Sequence, residues 1–519
     1  MRPVIGFQGE LPPADFNMAR YCVAAPAAAS PDKPALIVVA DANREPTEVW
    51  TYARLETAVL NVAGGLSCLG LTPGARILIR LDNTSAYAMV FFGAVAAGFV
   101  PIPASTQLTE AEVEFLLENS GAEAVCIADD LPVHHVPAGV RVITEADVDR
   151  IIADGPRGTY AATKADQAAY LIYTSGTTSR PKGVLHAHRA AWGRRPMYQG
   201  WYGMRPGDRM LHAGAFNWTY TLGVGLSDTW ANGATTIIYT GAKDPAVWPG
   251  LIAAHGATIF AAVPGVYRQI MKYGDARKDT LGNLRRGLAA GEAPPAGFFE
   301  EWNERTGLHI YEAIGMSEMS TFISTCPTVP RRPGAIGKPQ PGRSVVILDT
   351  DGGTEPLPAD EHGLLAVHRS DPGLMLGYWN RPEEEKEVLR GDWFVGGDVC
   401  SMDGDGYVTH HGRANDIMKA GGYRVSPQEV EAVLAQHPCI AEVACTEVRV
   451  RADVSIIAAF VVAKPGAAHD ADGIKGLAAR ELAAYKRPRE VVFIDQLPRT
   501  ANGKLKRAGL SLPKTNGSS

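Results

Sequence analysis

The densest chemistry in the chain lies in one string, Tyr173-Thr174-Ser175-Gly176-Thr177-Thr178-Ser179-Arg180-Pro181-Lys182-Gly183-Val184. Five Ser/Thr hydroxyls, two glycines and two cations crowd it. Hydroxyls, a lysine and backbone amides that glycine leaves accessible suit a polyphosphate, whose many acceptor oxygens carry several negative charges. The Walker spacing fails, because Pro181 precedes Lys182 and Gly183 follows it. A polar surface turn would account for the composition, but not for so many donors in so short a stretch.

Such a string needs a rigid mount. The apolar run 168–172 predicts a strand that delivers it, as a loop, to a sheet edge. Short β-branched runs at 35–40, 76–81, 124–128, 235–239, 258–263 and 345–348 alternate with helical-looking segments. That alternation predicts parallel sheets with helices on their faces. A boundary is expected near 413–416. Upstream, 393–398 and 403–408 read as a hairpin. Downstream, Ser426-Pro427-Gln428-Glu429 reads as a capping box. Val430, Val433 and Leu434 follow at helical spacing, with Pro438 as the stop. The expected fold is α/β: a large N-terminal domain of several α/β layers, residues 1–413, and a small α+β lid, residues 414–519.

A chain of 519 residues is too long for one ordinary core. Its 55 glycines and 36 prolines favour a loop-rich α/β enzyme over a helical bundle. A net charge of -6 offers no general attraction to nucleic acid or anionic lipid. The seven cysteines form no CxxC pair, which points to reduced thiols and a cytoplasmic location, not a disulfide or zinc framework. No signal peptide is read after Met1-Arg2-Pro3. The greasiest stretch, 86–100, falls short of the ~20 residues that span a bilayer. It reads as a buried helix leading into a strand, so no membrane partner is expected. The sequence leaves a homodimer open. His186, His188, His410 and His411 lack metal spacing and read as surface or packing residues.

Further segments stand in order along the chain: Ala290-Gly291-Glu292-Ala293-Pro294, Ile314-Gly315-Met316-Ser317-Glu318, Trp393-Phe394-Val395-Gly396-Gly397-Asp398, Gly412-Arg413-Ala414-Asn415-Asp416-Ile417-Met418-Lys419, and Pro498-Arg499-Thr500-Ala501-Asn502-Gly503-Lys504. Singly, the first, second, fourth and fifth read as a strand-end turn, a solvated glutamate, a charged linker and an inert lysine. Together with the phosphate string, they resemble the adenylate-forming superfamily of acyl-CoA synthetases, luciferases and peptide-synthetase adenylation domains. The resemblance covers nearly the whole chain. Ser179, Ile314, Gly396 and Asn415 stand where many members have glycine, an aromatic residue, threonine, and Asp or Lys.

The resemblance implies an ATP site with Thr174, Ser175, Gly176, Thr177, Thr178 and Lys182 at the phosphates. It adds Gly291, Glu312, Ala313 and Ser317 around the nucleotide, Asp398 and Arg413 at the ribose, and Lys419. Glu318 would hold Mg²⁺, Asn415 would be the hinge, and Gly421, Gly422 and Tyr423 would border coenzyme A. Lys504 would bridge the substrate carboxylate and the α-phosphate; with Lys182 and Glu318 it forms the implied catalytic set. The implied reaction is ATP-dependent, AMP-forming acyl-CoA ligation through an acyl-adenylate. The acid pocket is expected from Phe216, Trp218, Tyr220, Val263, Gly291, Gly315 and Met316, an apolar wall suited to an uncharged acid. Trp218-Thr219-Tyr220-Thr221-Leu222-Gly223 and the segment 332–335 resemble benzoate-CoA ligases. Their histidine after the Glu motif is missing from Met319-Ser320-Thr321-Phe322. Aromatic, cyclic and short-to-medium aliphatic acids stay open, leaning to the aromatic side. The alternatives are a noncatalytic nucleotide sensor and an amino-acid adenylation domain, although Phe216-Asn217 lacks the acidic partner an amino acid requires.

Overall fold

The computed structural model describes residues 5–132, 136–174, 181–242, 244–295, 297–414, 416, 418–420, 423–451, 454–499 and 505–512. The chain divides into two compact units. One comprises Met1–Val345 with Val367–Phe394, and the other Val346–Ala366 with Val395–Ser519. The second unit thus reaches upstream of the expected boundary at 413/414 and includes the ribose segment around Asp398.

In the first unit, apolar β-branched runs form the strands of two largely parallel sheets. The larger has nine strands. Its parallel centre runs through Ile310–Met316, Arg286–Ala290, Ile259–Ala262, Arg209–His212, Thr235–Tyr239 and Pro34–Val39. Ser320–Ser324 and Glu48–Thr51 pair antiparallel near its two ends. A four-stranded parallel sheet orders Val100–Pro103, Arg76–Arg80, Ala124–Ile127 and Arg141–Thr144. The greasy stretch is the helix Ser85–Ala96, capped by the Thr84 side chain and buried at every position. It leads into the strand Val100–Pro103, as expected. Such all-round burial marks a core helix, and no helix among the described residues is long and apolar enough to cross a membrane.

The second unit contains a hairpin of Trp393–Met402 with Val408–Arg413, the strand entering the unit at Val395. It also has a three-stranded sheet of Ile440–Arg451, Val454–Ala463 and Glu490–Phe493. The helices Pro427–Leu434 and Ala471–Glu481 supply Val430, Leu434, Ile474 and Ala478 to its core. Only half of the expected capping box forms. The Ser426 side chain accepts from the Glu429 amide at 3.4 Å, but the Glu429 carboxylate turns to Lys486. An ion pair to a distant lysine outcompetes the local return bond. The helix ends at Leu434, ahead of Pro438.

All seven cysteines are free thiols. His186, His188 and His212 lie inside the first unit, where burial pushes the first two down to about 4 and the third to about 3. They are therefore neutral in the native state at neutral pH. As pH falls from about 6.5 towards 4, the unfolded chain takes up protons that the native state refuses, so stability must fall over that window. His188→Asn keeps an acceptor for the Met18 amide, which His188 Nδ1 meets at 3.1 Å. Denaturant unfolding between pH 7 and 4.5 should show a shallower loss for this variant than for the wild type. Superimposable profiles would place the acid sensitivity elsewhere.

Candidate functional site

The phosphate string is mounted on a hairpin. Ala168–Thr174 and Lys182–Ala187 pair antiparallel, with Thr174 opposite Lys182 and Tyr173 opposite Gly183. The expected loop is therefore shorter than the string, because cross-strand pairing extends the ladder to both ends of it. Ser175, Gly176, Thr177 and Thr178 lie outside the described residues. Lys182 sits at the root of the hairpin, its ammonium paired with the Glu384 carboxylate and 5.4 Å from the centre of the Tyr378 ring. The Tyr378 hydroxyl donates to Glu318 Oε1 at 2.7 Å. One phenol thus stands beside both the phosphate-string cation and the expected metal-binding carboxylate. Tyr378, Arg381 and Glu384 were not foreseen; Tyr378 and Glu318 are 60 residues apart and share no local pattern.

Glu318 follows the strand Ile310–Met316, which turns back at once into Ser320–Ser324. Gly315 is the residue this turn requires. A Cβ there would lie 2.5 Å from the Ser320 carbonyl oxygen and 2.7 Å from the Thr321 Cα, well inside contact distance. Ser320 itself adopts φ +76, with its hydroxyl accepting from Arg194 Nη1. His186, on the phosphate hairpin, donates from Nε2 to the Ser317 carbonyl at 2.8 Å. It stacks on Tyr170 at 4.7 Å. It is a packing residue, as expected, but one that ties the phosphate hairpin to the Ser317-Glu318 segment. The other side of Glu318 is held through its carbonyl, which accepts from the Met375 amide at 2.8 Å. Glu312 and Ala313 lie on the same strand. Burial pushes the Glu312 carboxyl up to about 7, against the opposing pull of the Arg331 charge.

The expected acid-pocket residues gather where adjacent parallel strands end. Ala262, Ala289 and Glu312 fall in register across Ile259–Ala262, Arg286–Ala290 and Ile310–Met316. Val263 and Gly291 leave the first two of these strands, and the Glu292 carboxylate accepts from the Gly265 amide at 2.5 Å. Gly291 adopts φ +98, a conformation glycine tolerates best. Across from them, Asn83 clamps the acid loop, donating to the Gly214 carbonyl at 2.8 Å and accepting from the Phe216 amide at 2.9 Å. Phe216 is 4% exposed and packs on Tyr87 in the core, so the partly exposed aromatic wall consists of Trp218 and Tyr220. Tyr220 stacks on Trp201, meets His212 edge-on at 4.4 Å, and donates to the Leu288 carbonyl at 3.2 Å.

In the second unit, hairpin register places Asp398 directly opposite Arg413. Arg413 Nη1 donates to Asp398 Oδ2 at 3.0 Å, and His410 Nε2 donates to Oδ1 at 3.0 Å. Burial raises the Asp398 carboxyl, but the His410 hydrogen bond and the Arg413 charge outweigh it and hold the group below the usual carboxylate range. Asp398 is thus an ionised acceptor held in place from both sides. His410, read from sequence as surface or packing, is one of its two supports. Met418–Ala420 and Tyr423–Val425 pair antiparallel, with Lys419 opposite Arg424 and Ala420 opposite Tyr423. Arg499 bridges to Leu505 across the base of the last motif, and the Arg499 guanidinium donates to Glu442 at 2.6 Å. Asn415, Gly421, Gly422 and Lys504 lie outside the described residues.

The sequence pattern of AMP-binding enzymes fits residues 23–379. The chain belongs to the AMP-binding enzyme family. The C-terminal domain pattern of these enzymes fits residues 429–504. Among curated relatives, the 3-hydroxybenzoate–CoA ligase of Aromatoleum sp. (strain CIB) is 30% identical over 475 residues, 88% of this chain and 90% of the relative. The benzoate–CoA ligase of Thauera aromatica is 32% identical, with the same shares covered. The solved benzoate CoA ligase from Burkholderia xenovorans LB400 matches with a TM-score of 0.83 at 31% identity, over 95% of this chain and 99% of that one. This AMP-binding enzyme is an AMP-forming acid–thiol ligase with ATP and CoA as substrates. Among its described residues, no group of three or more His, Cys, Asp or Glu side chains could hold a metal ion.

Proposed function

We propose that this AMP-binding enzyme activates an uncharged aromatic or cyclic carboxylic acid. The observation that carries this reading is the acid loop: Tyr220 stacked on Trp201 and edge-on to His212, a histidine that burial keeps neutral. A wall of rings without charge suits an aromatic tail and repels a second carboxylate or an ammonium. The relatives named for benzoate and 3-hydroxybenzoate support the same class.

In the first half-reaction, a carboxylate oxygen attacks the α-phosphorus of ATP and pyrophosphate leaves. Lys182 and the phosphate string neutralise the phosphates, and Asp398 accepts hydrogen bonds from the ribose hydroxyls, with Arg413 beside it. Lys504 holds the carboxylate against the α-phosphate. In the second half-reaction, the CoA thiol attacks the carbonyl of the mixed anhydride and AMP leaves. The segment from Lys419 to Tyr423 borders the CoA arm, and Asn415 is the pivot between the two arrangements. Glu318 suits Mg²⁺: a hard cation needs carboxylate and phosphate oxygens, and Tyr378 occupies only Oε1. Bound there, the ion would offset phosphate charge. The substrates are small and soluble, which fits a cytoplasmic enzyme without a membrane or nucleic-acid partner.

A panel of acids tests the substrate. Pyrophosphate release should give the highest kcat/KM with benzoate-like acids. Close homologues should fall within about 10–200-fold, since one methylene in an apolar pocket discriminates no more than that. Preference for a dicarboxylate or a free amino acid would overturn the reading.

A further inference from the structure

Lys182 is already engaged with an anion that belongs to the protein. Its ammonium pairs with Glu384, and the two side chains are 22% and 21% exposed, too sheltered for water to screen the pair fully. Glu384 is fixed from a second direction by Arg381, whose Nη1 meets Oε1 at 2.6 Å. The segment that carries these groups is bonded to the hairpin that carries Lys182. Tyr378 lies opposite Val184 in an antiparallel ladder, and the Trp379 amide donates to the Gly183 carbonyl at 2.8 Å. Glu384 then follows on the helix Pro382–Glu387. The carboxylate is therefore a built neighbour of Lys182, not a passing surface contact. The Lys182 contact, joined by the single Arg381 hydrogen bond and both cationic charges, outweighs burial and holds its pKa below the usual range, so it is charged at neutral pH.

We infer that Glu384 sets the affinity of the nucleotide site by occupying the Lys182 ammonium with a carboxylate that nucleotide phosphate has to displace. This rests on the reading of Lys182 as a phosphate-binding cation. Binding then exchanges one anion for another at Lys182, with Arg381 left to hold the displaced carboxylate. The exchange weakens the hold on the polyphosphate of ATP and on the pyrophosphate product alike. Because the protein resupplies its own anion, pyrophosphate leaves without uncovering a bare, half-buried cation. Tyr378, beside Lys182 and bonded to Glu318, keeps the neighbouring carboxylate from competing for the same ammonium.

Glu384→Gln in the full-length enzyme tests this, since the amide keeps the shape and an acceptor for Arg381 while losing the charge. At fixed ionic strength, KM for MgATP in ATP–pyrophosphate exchange and the inhibition constant of pyrophosphate should both fall, about two- to five-fold, the range of a partly screened ion pair. Tighter binding is the decisive sign, because general damage to the site would weaken it. Lys182→Gln, assayed alongside, should raise both constants, and Glu384→Gln on that background should change neither. If Lys182→Gln weakens binding while Glu384→Gln leaves it unchanged or weaker, the role of Glu384 is overturned and the phosphate reading of Lys182 stands. If Lys182→Gln has no effect on either constant, the phosphate reading falls and the Glu384 proposal falls with it.

Discussion

Replacing Lys504 by alanine should slow acyl-adenylate formation by about 10²–10³-fold, the usual cost of losing one preorganised electrostatic contact to a developing charge. Thioester formation from supplied acyl-adenylate and CoA should survive nearly intact. The asymmetry follows if Lys504 touches the carboxylate and α-phosphate only in the adenylating arrangement and is carried away before the thiol attacks. Gly421→Trp is the complement: a bulky side chain on the expected CoA edge should obstruct thioester formation and spare adenylation. ATP–pyrophosphate exchange reads the first half-reaction, and thioester yield from chemically made adenylate reads the second. Equal losses in both assays for Lys504→Ala would refute alternation between two arrangements and indicate general damage to the site.

The second large effect is on stability. Arg343 and Asp371 form an ion pair with side chains 0% and 1% exposed, joined at 2.8 Å. Arg343 also donates to the Gly193 carbonyl at 2.9 Å and to Gln340 at 3.0 Å, and Asp371 accepts from the Gly373 amide at 2.8 Å. Asp371→Ala leaves a guanidinium buried without its counter-charge, a loss of about 3–5 kcal/mol. Removing Asp275 from its exposed pair with Arg277 should cost no more than about 1 kcal/mol. Denaturant midpoints of the first unfolding transition, compared between these two variants, check the difference; equal shifts would mean the buried pair is not under strong constraint. The Asp371 variant should also lose activity, because the turn it closes leads to Met375, whose amide holds the carbonyl of Glu318.

Much of this architecture was legible from local pattern. The runs at 235–239 and 345–348 coincide with the strands Thr235–Tyr239 and Val345–Leu348. The stretch after Thr84 is the buried helix its composition demanded. The hairpin around Asp403 was readable because turn residues flank it. What escaped notice arises from pairing between distant segments. His410 supports Asp398 through strand register. Tyr378 reaches Glu318 because a short strand far downstream joins the phosphate hairpin. Glu429 abandons its own helix start for Lys486. In each case the deciding partner lies ten or more residues away, where periodicity and capping rules say nothing. Phe216 illustrates the converse: an aromatic residue in a loop signals a ring, but only the packing around Tyr87 shows which way that ring turns.

The pinched return at Gly315 restricts how a new substrate range can arise in this scaffold. No rearrangement of a flexible side chain can make room for a Cβ there, since the obstacles are the backbone atoms of Ser320 and Thr321. A mutational library directed at the acid pocket would spend its Gly315 variants on molecules that cannot close the turn ahead of Glu318. Variation at Trp218, Tyr220 and Met316, which stay partly exposed, leaves that turn intact. Selection for larger or smaller acids should therefore enrich changes at those three positions and return Gly315 untouched.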